Sequence, residues 1–123
     1  EAFVESTPKA LIPVPLHASR LRQRGFNQAL ELARYWGNRR SIPVLPQALI
    51  RTRATEIQSS LPAEARRTNV AGAFQASGVV PVHVALVDDV VTTGSTTAEA
   101  ARALLQAGAG RVDVWCLARA VKN

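Results

Sequence analysis

The spacing of apolar and polar positions along this chain switches between the strand period and the helix period. Residues 10–16, "ALIPVPL", form a short apolar run whose prolines predict a strand that ends at once in a loop. Residues 17–25, "HASRLRQRG", carry too little apolar content to be buried and read as a basic connector. Phe26, Ala29, Leu30, Ala33 and Trp36 then recur at helical spacing, which predicts a helix stopped at Gly37. An extended segment follows, with a strand expected near residues 48–51. The polar stretch 52–69 predicts one short helix after Pro62 within a mobile loop. Residues 71–78, "AGAFQASG", read as a strand and turn, and "VHVALVDD" as a strand apolar on both faces, the pattern of a parallel sheet. Thr96 and Glu99 have the spacing of a T-x-x-E capping box, and the helix they open is expected to stop at Gly108. "RVDVWCLARA" closes with another strand. Strand, helix and strand over residues 84–117 make one βαβ unit, so the fold class is α/β with a parallel central sheet.

A chain of 123 residues supplies one domain with one core, and no repeat or low-complexity run divides it. Its apolar runs are broken by Pro, Asp or Gly well short of a bilayer span. Residues 1–10 start with acid and have no basic-then-apolar leader pattern, so the expectation is a cytoplasmic protein without a signal peptide. The single cysteine, Cys116, excludes an intramolecular disulfide and a cysteine-built zinc site, and its apolar surroundings predict a buried structural thiol.

Charge changes the picture more than composition does. The net charge is +6, and residues 17–67 alone hold ten arginines against three glutamates. Arginine is suited to bidentate contact with phosphate, so this bias favours a polyanionic partner, either a nucleotide phosphate or a nucleic-acid backbone.

The candidate chemistry lies in residues 84–96, "VALVDDVVTTGST". In open parallel sheets ligands bind at the carboxyl ends of the strands, which is where Asp88 and Asp89 are expected. The loop after them runs into a helix N-terminus, whose N–H groups and dipole favour an anion. Gly94 lets the backbone close around a phosphate, and Thr92, Thr93, Ser95 and Thr96 add hydroxyl donors. Two carboxylates beside a phosphate cradle suit a ribose 5-phosphate, with its diol on the aspartates. The loop lacks the Gly-Lys-Ser/Thr of a Walker A sequence, which argues against an ATPase.

These residues closely resemble the phosphoribosyl pyrophosphate (PRPP) motif of type I phosphoribosyltransferases. Together with "PVPLHASRLRQRGFNQA", "RTRATEIQSSLPAEARRTNVAGAF" and "AARALLQAGAGRVDVWCLAR", they resemble the C-terminal domain of the ComF/GntX family over residues 10–120. The resemblance implies a single phosphoribosyltransferase-like domain over 1–123, in a protein linked to DNA uptake or utilisation. Such members often begin with a cysteine-rich zinc-binding segment and a helical region that this sequence lacks, which implies a fold shortened at its N-terminus. The resemblance also implies roles for particular residues. Asp88 and Asp89 would hold the ribose hydroxyls, and Thr92, Thr93, Gly94, Ser95 and Thr96 the 5′-phosphate. His17, Arg20 and Arg24 would lie at the pyrophosphate, Arg66 and Arg67 on a flexible loop closing over it, and Mg²⁺ would arrive with PRPP. His17 and each arginine could equally be solvated surface groups, and Asn27 and Gln28 could cap the helix rather than touch a ligand. No acceptor and no general base stand out.

A second reading makes the chain a non-catalytic competence accessory protein that binds single-stranded DNA or a DNA-processing partner. The arginines suit that reading. The aromatics suit it less, since bases in such sites stack on aromatic rings. The basic stretch offers only Phe26, Tyr35 and Trp36, two of them on or beside the apolar helix face.

Overall fold

A computed structural model describes residues 7–16, 18–52, 72–91 and 94–119. Their elements run β1 (Ala10–Pro13), α1 (Ala18–Arg24), α2 (Gln28–Arg40), β2 (Leu49–Arg51), β3 (Phe74–Ala76), β4 (His83–Val91), α3 (Ser95–Gln106) and β5 (Arg111–Arg119). Strands β1, β4 and β5 form a parallel sheet in that order, with β4 in the middle, while β2 and β3 pair antiparallel. Residues 43–45 run along the free side of β1, bonded to it through Leu11 N–H to Pro43 O and Leu45 N–H to Leu11 O, both 2.9 Å.

The period of two in β1 and β4 divides the core into two layers, because alternate side chains face opposite sides of a strand. Ala10, Ile12, Val84 and Leu86 face one way and pack with Leu49, Phe74, Ala100 and Leu104, under α3 and the β2–β3 pair. Leu11, Ala85 and Val87 face the other way and pack with Ala33, Ile42, Trp36 and Trp115, under α2. The result is a three-layer α/β arrangement, as the doubly apolar β4 requires. On the α2 side the two tryptophan rings meet edge to face with centroids 5.8 Å apart.

Several expectations are corrected. The basic connector is helical from Ala18 to Arg24. It remains exposed from Leu21 onward, and Gly25 ends it in the left-handed conformation with φ 83°. Helix α2 does not stop at Gly37 but continues to Arg40, where Ser41 takes the left-handed cap and its N–H bonds Gly37 O. Gly37 has a different use: a Cβ there would meet Ile42 O at 2.7 Å and Val44 Cγ2 at 3.0 Å. The glycine therefore lets the returning chain lie directly against the helix. Cys116 is only half-buried, because among the described residues its strand has a neighbour on one side alone. The stretch 53–69, with its expected short helix after Pro62, lies outside the described residues.

Asn27 does cap α2. Its Oδ1 accepts from Ala29 N–H at 3.0 Å, and its Nδ2–H donates to Val14 O at 3.2 Å. One side chain thus both starts the helix and fastens it to the end of β1. At the opposite end of the sheet His83 bonds Asp113 at 2.8 Å and the Arg111 Nε–H donates to the same carboxylate at 3.0 Å, pinning β4 to β5.

Candidate functional site

The chain leaves β1 for α2 on one face of the sheet and leaves β4 for α3 on the other. The two adjacent strands therefore part at their carboxyl ends, which is the topological switch point where open α/β sheets bind ligands. Strand β1 ends with Pro13 opposite Val87. Asp88 is the next residue of β4, so the paired aspartates stand where the crevice opens. They are not at the end of their own strand, since Val90 and Val91 still pair with β5. They are at the end of β1, and that is what exposes them to the crevice.

Both carboxylates are tied to the backbone: Asp89 N–H donates to Asp88 Oδ1 at 2.9 Å, and Val90 N–H to Asp89 Oδ1 at 2.8 Å. These bonds fix the side chains without using all their acceptor capacity, since an ionised carboxylate has about four lone-pair sites. Burial pushes the Asp88 carboxyl up to about 7, helped by a hydrogen bond to the Asp89 side chain and by the charge on Asp89. The Asp89 backbone N–H and the charge of Arg51 pull the other way. A buried carboxyl raised toward neutrality at the switch point of an α/β sheet marks a candidate functional site.

Arg51 is the residue that sequence reasoning missed. It lies at the end of β2, half-buried, with its guanidinium 4.8 Å from the centroid of the Phe74 ring. Nothing in "LIRTR" says that β2 approaches β4. The available signal was an arginine two places after a buried Leu49, on the side of a strand that faces the protein.

Gly94 has φ 84° and ψ −2°, a left-handed conformation suited to glycine, and is the N-cap of α3. Its carbonyl accepts from Ala98 N–H at 2.8 Å and from the Thr97 hydroxyl at 3.1 Å. Among the described residues no side chain caps this turn. Ser95 and Thr96 both lie in that turn, half-buried. The expected Thr96–Glu99 capping box is not formed. The helix starts one residue before Thr96, and Glu99 instead accepts from Gly72 N–H at 3.0 Å and pairs with Arg102.

The structure thus brings together Asp88, Asp89 and Arg51, with Gly94, Ser95 and Thr96 five to seven residues beyond Asp89 along the chain. Arg24 is exposed at the end of α1 and Arg20 belongs to the same helix, in the connection that follows β1. His17, Thr92, Thr93, Arg66 and Arg67 lie outside the described residues. Among the described residues no group of three or more His, Cys, Asp or Glu is placed to hold a metal ion, and no helix is long and apolar enough to cross a membrane.

Comparison with known proteins finds relatives by sequence. The chain is 45% identical over 115 residues to DNA utilization protein YhgH of Escherichia coli O157:H7. It is 42% identical over 113 residues to the YhgH of Salmonella typhi, and 42% identical over 117 residues to Competence protein F of Haemophilus influenzae. These matches cover 91–92% of the chain but 50–51% of each relative, so the chain spans about half the length of the curated relatives it matches. No family model matches, and no solved structure matches. Homologues bearing these names support a ComF-like family for this chain.

Proposed function

We propose that this chain is a PRPP-binding domain of phosphoribosyltransferase type, in a ComF-like protein that serves DNA uptake or utilisation. The names of its relatives support the pathway. One observation carries the site: an Asp-Asp pair, one carboxyl raised to about 7, stands in the switch-point crevice just before a glycine-capped helix. In this reading the ribose diol donates to Asp88 and Asp89, which replaces lost solvation of the buried carboxylate. Arg51 neutralises part of the charge so formed. The 5′-phosphate sits over residues 92–96 at the N-terminus of α3, where Gly94 contributes backbone approach and Ser95 and Thr96 contribute donors.

Mg²⁺ enters on the pyrophosphate oxygens as part of the substrate. The resemblance assigns the pyrophosphate to His17, Arg20 and Arg24, and the loop that closes over it to Arg66 and Arg67. Transfer breaks the bond from the anomeric carbon to pyrophosphate and forms one to an acceptor nucleophile, which loses its proton. The protein's work is to hold the developing charge away from water.

The test is calorimetric titration of PRPP with Mg²⁺ into the parent chain and into Asp88→Asn/Asp89→Asn. The reading predicts binding to the parent and loss of at least tenfold in the variant, about 1.4 kcal/mol. Equal binding by the two proteins would remove the aspartates from the site.

A further inference from the structure

We infer that the outward face of α2 is a second binding surface, separate from the aspartate crevice, and that it takes single-stranded nucleic acid. Arg34, Tyr35, Asn38 and Arg39 fall within six consecutive residues and form one exposed stripe, opposite the buried Ala29, Ala33 and Gly37. The only acid on that stripe is Glu31, 3.7 Å from Arg34. Beside it lies an open hollow of about 390 Å³ lined by Arg34, Gly37, Asn38, Ile42, Pro43 and Val44. Its lining is mixed, with Ile42, Pro43 and Val44, which pass close to the helix at Gly37, beside the Arg34 guanidinium and the Asn38 carboxamide. That combination suits a base against the apolar residues and a phosphate at the guanidinium.

Tyr35 decides between kinds of polyanion. The residue is 55% exposed, and the Arg39 guanidinium lies 5.2 Å from its ring centroid. A guanidinium on one side of a solvent-facing ring leaves a platform for a base to stack on, and it binds phosphate at the same time. Phe26, near the start of the same helix, is 49% exposed as well. Of the three aromatics in the basic stretch, only Trp36 is turned inward, against Trp115. A duplex hides its base faces, so exposed rings beside arginines favour a single strand. The surface is distinct from the crevice: α2 starts beside Val14 at the crevice end of β1 and reaches Gly37 ten residues later, roughly 15 Å away.

The experiment is fluorescence anisotropy with a labelled oligothymidylate of about twelve nucleotides, across a salt series. Parallel titrations use Tyr35→Ala, Tyr35→Phe and Arg34→Ala/Arg39→Ala, all at exposed positions. Binding by the parent is expected to weaken about fivefold or more in Tyr35→Ala, to persist in Tyr35→Phe, and to keep its salt slope in both. The double arginine variant is expected to lower the slope of log K against log salt by about 1.4, two phosphate contacts on a single strand. All three variants are expected to bind PRPP as the parent does, if the crevice binds it. No binding by the parent at about 50 mM salt, an affinity of Tyr35→Ala within twofold of the parent, or an unchanged slope in the arginine variant would each overturn the inference.

Discussion

Replacing Asp88 by Asn should make the protein more stable, and only above mildly acidic pH. A free aspartate titrates at 3.8, whereas Asp88 does so at about 7. Below pH 3.8 the group is protonated folded and unfolded, and it contributes nothing to pH dependence. As pH rises from there the unfolded chain ionises while the folded one does not, so the folded state is disfavoured by about 1.36 kcal/mol per pH unit. The penalty is complete above pH 7, at about 2–4 kcal/mol. The carboxamide keeps the Oδ1 that accepts from Asp89 N–H and carries no charge to desolvate. Denaturation of parent and Asp88→Asn at pH 5, 6, 7 and 8 should therefore show curves that diverge as pH rises. The variant's gain at pH 8, taken at the lower of these figures, corresponds to a Tm increase of roughly 6–10 °C. A variant less stable than the parent at pH 8, or a gap that does not change with pH, would refute the reasoning.

Two further substitutions test how the site is held. Gly37→Ala should destabilise by about 1–3 kcal/mol despite the helix preference for alanine, because the new Cβ meets Ile42 O at 2.7 Å; urea denaturation reads this directly, and a gain in stability would contradict the packing. Asn27→Ala should cost about 1–2 kcal/mol, since it removes both the cap on Ala29 N–H and the bond to Val14 O. Asn27→Asp keeps the cap alone and should recover part of the loss in the same assay.

The layers of this fold were legible in residues 84–87, where an unbroken apolar run demanded cover on both faces and received α2 on one and α3 on the other. The aspartates were legible for the same reason: charges that follow such a run mark where the cover ends. What the sequence hid was long-range. Arg51 reaches the neighbourhood of Asp88 only because the β2–β3 pair folds over the α3 face, and no local pattern encodes that approach. Gly37 looked like a helix stop because glycine commonly is one, but a close passage of chain over the helix needs glycine just as much. The spacing of Thr96 and Glu99 fitted a capping box, yet the left-handed Gly94 took the N-cap position two residues early and Glu99 was taken by Gly72. Residues 18–24 carry good helix formers with a single exposed leucine, so α1 forms without an apolar face that periodicity could detect.

The central claim, that the crevice at Asp88 and Asp89 binds PRPP, is tested most directly by thermal denaturation with PRPP and Mg²⁺, beside ribose 5-phosphate and pyrophosphate alone. At about 100 times its dissociation constant PRPP should stabilise the chain by roughly 2.7 kcal/mol, more than either fragment at the same concentration. A melting curve that PRPP leaves in place would contradict the account.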